Sequence, residues 1–132
     1  MSGASDVKAA AAAGSALATG PVSTFGTPGT GPRVLVLDDW ERAYPRLADW
    51  TALSARARIE IHHQPLRGEA LRAALQGTEV LVLTRDRTPV DGALLAQAPG
   101  LRCILFTGTR NNTLDAAAVH AAGIALGHTH WG

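Results

Sequence analysis

The sequence predicts an α/β fold, a flavodoxin-like doubly wound sheet of five parallel strands. Three observations carry that prediction. Short continuous apolar runs at 34–37, 79–83 and 103–106 have the pattern of strands buried on both faces. Segments between them place apolar residues at helical spacing. The two patterns alternate as β-α-β-α-β-α-β-α-β, and buried strands joined by helical crossovers imply a parallel sheet with helices on both faces.

Each element has its own justification. Val34 to Leu37 forms the first strand and ends at Asp38 and Asp39. Trp40, Tyr44, Leu47 and Ala48 then recur as the inner stripe of a helix. Arg58 to His62 is a β-rich stretch in which Ile59 and Ile61 alternate with polar residues. Leu71, Ala74 and Leu75 give the next helix its apolar stripe, before the strand that ends at Thr84. Asp91 is placed to cap a helix carrying Leu94, Leu95 and Ala98. Cys103 to Phe106 ends at Thr107 and Gly108, and Cys103 reads as an inert small hydrophobe. Thr113 or Asp115 opens a helix with inner face Leu114, Ala118, Val119 and Ala122. Gly123 suits its left-handed C-terminal position, and Ile124 to Leu126 is the last strand.

The folded region is expected over residues 33–127, with a short C-terminal tail at 128–132. Residues 1–32 read as a disordered tail, because Ala, Gly and Pro dominate and offer little apolar surface to offset ordering entropy. A secretory signal fits poorly, since Asp6 cancels Lys8 and the run 9–18 has a single leucine. A transit peptide would want arginines, and this segment has none.

Composition removes several function classes. Twelve basic residues against eleven acidic ones leave a net charge of +1, so no field exists for driving nucleic-acid binding. One cysteine excludes an internal disulfide and a cysteine zinc cluster. No stretch approaches the roughly 18 apolar residues of a membrane span. A cytoplasmic location is expected.

In an open parallel sheet, ligands bind beyond the carboxyl ends of the strands. Three such ends are polar here: Asp38-Asp39, Thr84 to Arg87, and Thr107 to Asn112. The last is the most suggestive. Gly108 permits close backbone approach, the loop leads toward a helix N-terminus, and Arg85, Arg87 and Arg110 add charge for a carboxylate or phosphate. A receiver-type acidic pocket fits poorly, because Asp86 lies past the strand end and the only lysine is Lys8. His128-Thr129-His130 reads as surface histidines, His62 and His63 point to opposite faces of a strand and cannot chelate together, and His120 reads as a surface residue. No metal site is expected. No GxGxxG, GxxxxGK[ST], GxSxG or HExxH motif occurs, and Gly26, Gly29 and Gly31 precede the first strand at the wrong spacing.

Residues 33–127 resemble the N-terminal, substrate-binding domain of the D-isomer-specific 2-hydroxyacid dehydrogenases, the phosphoglycerate dehydrogenase-like family. The resemblance lies in Arg85-Asp86-Arg87-Thr88-Pro89, Leu94-Leu95, Pro99-Gly100-Leu101-Arg102, Thr107-Gly108-Thr109-Arg110-Asn111, Leu114-Asp115 and Gly123-Ile124. The commonest family loop reads like G-x-G-x-D-N-x-D. Here Arg110 stands at its second Gly and Asn112 at its Asp, matching a branch with a T-G-x-R-N loop, R-x-R-T-P upstream and an L-D-D-aromatic strand end, as in Leu37-Asp38-Asp39-Trp40.

The resemblance implies a lobe that holds a small anionic 2-hydroxy or 2-keto acid with Arg85, Asp86 and Arg87 in one loop and Gly108, Thr109 and Arg110 in the other. It also implies that the NAD glycines and the catalytic residues belong to a following domain, so no catalytic or cofactor-binding residue is assigned to this chain. The expectation is an isolated or truncated substrate lobe, inactive alone, with a second chain as one source of the dinucleotide domain. A stand-alone regulatory module binding the same class of metabolite is the alternative.

Overall fold

The computed structural model describes residues 20–129. Its elements are β1 (Val22–Phe25), β2 (Arg33–Leu37), α1 (Tyr44–Leu47), α2 (Thr51–Ser54), β3 (Arg58–His62), α3 (Gly68–Leu75), β4 (Val80–Leu83), α4 (Gly92–Leu95), β5 (Cys103–Phe106), α5 (Ala116–Ala121) and β6 (Ala125–His128). The sheet order is β1-β3-β2-β4-β5-β6. The five expected strands are all parallel, in the flavodoxin-like order, and the fold is the doubly wound α/β class.

The register sorts the side chains into two cores. Leu35 and Leu37 pair with Leu81 and Leu83, which pair with Ile104 and Phe106. These residues meet Leu71 and Leu75 of α3, Leu95 of α4 and Val119 of α5 on one face. On the other face, Val34 and Val36 pair with Ile59 and Ile61 and are covered by Phe25, Tyr44 and Trp50. That second layer reaches only the β2–β3 side. Leu105 of β5 therefore stays 42% exposed, where a strand buried on both faces was expected.

Residues 22–25 correct the expected extent of the tail. They form an antiparallel edge strand against β3, with Ser23 opposite Ile61 and Phe25 opposite Ile59. Four residues alternating outward and inward are enough for an edge strand when the inward Phe25 ring stacks on Trp50 at 5.6 Å. Residues 1–19 lie outside the described residues. At the other end, His128 completes β6 and the amide of Thr129 donates to the carbonyl of Phe106, so both belong to the folded domain and not to the expected tail. Residues 130–132, His130 included, lie outside the described residues.

The first expected helix is two single turns. Ala48 is extended, and the Asp49 carboxylate accepts from the Thr51 amide to start α2. The break turns Trp50 inward and leaves Leu47 78% exposed, so the expected stripe is not a core face. Other local expectations hold. Asp91 and Asp115 cap α4 and α5 through the amides of Leu94 and Ala118. Gly123, at φ +74°, ends α5 in a Schellman turn, with its amide on His120 and that of Ile124 on Val119.

Two glycines of the β1–β2 connection separate strain from collision. Both Gly29 and Gly31 have positive φ, but a Cβ at Gly29 meets open space while one at Gly31 falls 1.8 Å from the Arg56 carbonyl oxygen. Gly29→Ala is expected to cost about 1–2 kcal/mol. Gly31→Ala is expected to cost clearly more, because backbone must move. Urea midpoints check this, and equal midpoints would contradict the close approach.

Candidate functional site

The carboxyl ends of β2, β4 and β5 carry a polar layer built on two buried aspartates. Asp38 and Asp39 are each 1% exposed. A buried carboxylate is tolerated only with hydrogen-bond donors, and both are supplied. Asp38, at φ +63°, accepts from the Thr88 hydroxyl and from the Trp40 indole at 3.2 Å. Its carbonyl accepts from the Arg87 guanidinium at 2.9 Å. Asp39 accepts from the amides of Ala43 and Tyr44 and stands 3.2 Å from His63 Nδ1.

The sheet's switch point lies between β2 and β4. Buried side chains occupy it: Thr84 donates to the Leu37 carbonyl at 2.7 Å and meets the Tyr44 hydroxyl at 3.0 Å. The open cavity is displaced one strand further, over the ends of β4 and β5. It has a volume of about 260 Å³ and is lined by Arg85, Asp86, Thr107, Gly108, Thr109, Arg110 and Asn112.

Cross-links between the two loops shape this cavity. Val90 and Leu114 form a parallel bridge, with the Val90 amide on the Thr113 carbonyl at 2.9 Å. The Arg85 amide donates to Thr107 Oγ1, Asn111 Nδ2 donates to the Arg85 carbonyl, and Thr113 Oγ1 donates to the Asp86 carbonyl. These bonds hold Arg85 at φ +55°, a conformation costly for a side-chain-bearing residue.

Five of the six residues singled out in the sequence line this cavity: Arg85, Asp86, Gly108, Thr109 and Arg110. The guanidinium groups of Arg85 and Arg110 make no hydrogen bond to another described residue. Arg87 is different. Its guanidinium forks onto Glu41 at 2.9 and 2.7 Å and lies 4.4 Å from the centroid of the Trp40 ring, away from the cavity. Two expectations about the Gly108 loop need correction. The Gly108 amide is engaged by Thr129 Oγ1 at 2.8 Å, because β6 runs on to place that hydroxyl there. The following helix starts only at Ala116 and its first turn is capped by Asp115, so it offers the cavity no free N-terminus.

Sequence reasoning missed Thr88, Tyr44, Ser23 and His63. Thr88 was inside the Arg85–Pro89 stretch, but nothing in its type distinguishes it from a turn residue. His63 is 4% exposed and hydrogen-bonded on both ring nitrogens. Among the described residues no cluster of three His, Cys, Asp or Glu could hold a metal, and no helix is long and apolar enough to cross a membrane. None of the turns after β2, β4 and β5 has the glycine spacing that takes a pyrophosphate, and Asp38 fills the first of them.

Fold and site together define a doubly wound α/β domain with a cationic cavity at the carboxyl ends of its strands. The chain belongs to the D-isomer specific 2-hydroxyacid dehydrogenase family, whose catalytic-domain profile matches residues 34–131. Two solved structures are similar to it. One is phosphoglycerate oxidoreductase from Vibrio cholerae O395, at 26% identity and a TM-score of 0.69 over 76% of this chain. The other is a putative D-3-phosphoglycerate dehydrogenase from Ralstonia solanacearum, at 29% identity and 0.62 over 71%. The pyruvate reductase of Chlamydomonas reinhardtii, at 14% identity and 0.60 over 76% of this chain, shares the fold. The chain spans 32%, 29% and 29% of the length of these three proteins. No curated protein sequence matches it.

Two predictions follow from the polar layer. Thr88→Val removes a donor from the buried Asp38 carboxylate and is expected to cost about 3 kcal/mol in urea unfolding. A loss below about 1 kcal/mol would mean that Asp38 finds another donor. Hydrogen bonds from Arg87 hold the Glu41 carboxyl at about 2, well below its ordinary 4.5. A lowered carboxyl stabilises above its unfolded value and loses that contribution as pH falls through the folded value. The Trp40 indole NMR signal is expected to titrate with its midpoint near pH 2 rather than 4.5. Glu41→Gln is expected to abolish that component, and its persistence would detach Glu41 from the ring.

Proposed function

We propose that this domain is the substrate-binding lobe of a D-2-hydroxyacid oxidoreductase, and that its cavity holds a small anionic 2-hydroxy or 2-keto acid. The observation that supports the reading is the cavity itself, lined by Arg85 and Arg110, whose guanidinium groups make no salt bridge among the described residues, in a chain of this family. A guanidinium cannot deprotonate and presents a planar fork suited to a carboxylate. The side chains of Thr107, Thr109 and Asn112 are placed to hydrogen-bond a hydroxyl or keto oxygen. Gly108, at φ +99°, keeps one wall free of side chain. The Asp86 carboxyl disfavours a second anionic group on its side.

NAD is the family's hydride carrier. The residues described here do not fit it, so this lobe binds and orients the acid, and a dinucleotide domain, in the same or another chain, has to supply the rest. The lobe alone is read as inactive. A second reading, a stand-alone module that senses the same acids, draws on the fact that all seven lining residues come from this one domain. A cytoplasmic site of action, with no nucleic-acid or membrane partner, goes with either reading.

Titration with pyruvate, followed by amide NMR, is expected to shift Gly108, Thr109 and Arg110. Arg85→Ala and Arg110→Ala are each expected to weaken binding about tenfold or more, the worth of a charge-assisted bond. Unchanged affinity in both variants would sink the reading. Calorimetric titration with NADH is expected to show no binding.

A further inference from the structure

Ser23, His63 and Asp39 stand in a line that the cavity does not use. Ser23 Oγ lies 2.7 Å from His63 Nε2, and His63 Nδ1 lies 3.0 Å from the Asp39 carbonyl and 3.2 Å from its carboxylate. Nδ1 faces only acceptors, so it donates toward Asp39, and Nε2 shares a hydrogen bond with the Ser23 hydroxyl. The order resembles a hydrolytic triad, but Ser23 has no exposed surface, and a nucleophile must reach its substrate. What the line does reach is structural: β1 at one end and the first turn of α1 at the other.

We propose that β1 is a strap whose docking sets the cavity loop through Tyr44. Two arms converge on that residue. The polar arm runs from Ser23 through His63 to the Asp39 carboxylate, which also receives the amides of Ala43 and Tyr44. The apolar arm runs from Phe25 to the Trp50 ring, whose Nε1 donates to the Tyr44 carbonyl at 2.9 Å. Beyond Tyr44 the path is short. Its hydroxyl meets Thr84 Oγ1, the Thr84 carbonyl accepts from the Arg87 amide at 3.4 Å, and Arg85 is the next residue. Tyr44 is thus a positioning residue for Arg85, and Ser23 and His63 act through it.

The strap is built to undock as a unit. As the sheet's edge it is paired on one side only, through Val22 to Phe25. Its flanks are held at single carbonyls, Gly20 by Arg42, Pro21 by the His63 amide and Gly26 by Arg58. Edge elements with few bonds open at lower free energy than the sheet centre.

Amide hydrogen exchange on the full chain tests the coupling without any ligand, so its outcome is independent of the proposed function. Ser23→Ala is expected to speed exchange about five- to tenfold at Val22–Phe25, the worth of one buried hydrogen bond. The amides of Arg85 and Arg87 are expected to speed with them, while β5 stays unchanged. Tyr44→Phe, which removes one oxygen, is expected to speed Arg85 and Arg87 and leave β1 protected, and the double variant to add nothing further at those two amides. If Ser23→Ala loosens β1 alone, or if Tyr44→Phe leaves the loop amides unchanged, the coupling is overturned. Labelling of Ser23 in the native chain by a fluorophosphonate would overturn its assignment as a buried latch. Should Ser23→Ala fail to fold, Tyr44→Phe alone decides.

Discussion

Two adjacent carboxylates buried at the end of one strand organise this domain. Removing Asp38 and Asp39 from water is costly unless every oxygen finds a donor, and the donors come from widely separated parts of the chain. Thr88 and Trp40 serve Asp38, while the α1 amides and His63 serve Asp39. The requirement thereby gathers the loop after β4, the first turn after β2 and the end of β3 into one layer. An apolar pair at these positions would pack the strand end without fixing any of those loops relative to the others.

That layer also divides the arginines. Arg87 is consumed by Glu41, by the Asp38 carbonyl and by the Trp40 face, and it closes the switch point. Arg85, two residues earlier, is turned the opposite way by its positive φ and by the bonds to Thr107 and Asn111. One short stretch therefore supplies one arginine tied into the polar layer and one that lines the cavity. The alternation of side-chain direction does not require a regular strand. It requires the left-handed conformation of Arg85 itself and the framing loop.

The five parallel strands were legible because each is a run of apolar residues closed by a polar or glycine turn, and their alternation with helices leaves few topologies. The caps at Asp91 and Asp115 and the glycine at 123 were legible for the same local reasons. Burial on the second face was not, since nothing in Leu105 reveals whether a helix will cover it. Edge strand β1 escaped because Val22–Phe25 sits among Gly and Pro, and its pairing depends on Ile59, Ile61 and Trp50, far along the chain. In the site, the charged residues were found by type and loop position, whereas Thr88 and His63 matter through partners 50 and 24 residues away. Sequence pattern reports local periodicity; it does not report which buried acceptor a hydroxyl or imidazole will meet.

The cavity's chemistry follows from what its side chains cannot do. Arginine does not exchange its proton near neutral pH, and threonine and asparagine do not titrate there. No lining residue is an imidazole or a thiol. The arginine, threonine and asparagine side chains of this wall contribute fixed charge and fixed hydrogen-bond directions. Such groups gain value as water is removed, because an open face leaves them screened at high dielectric. Covering the mouth with another surface would therefore strengthen the attraction of these guanidinium groups for any negative charge beside them.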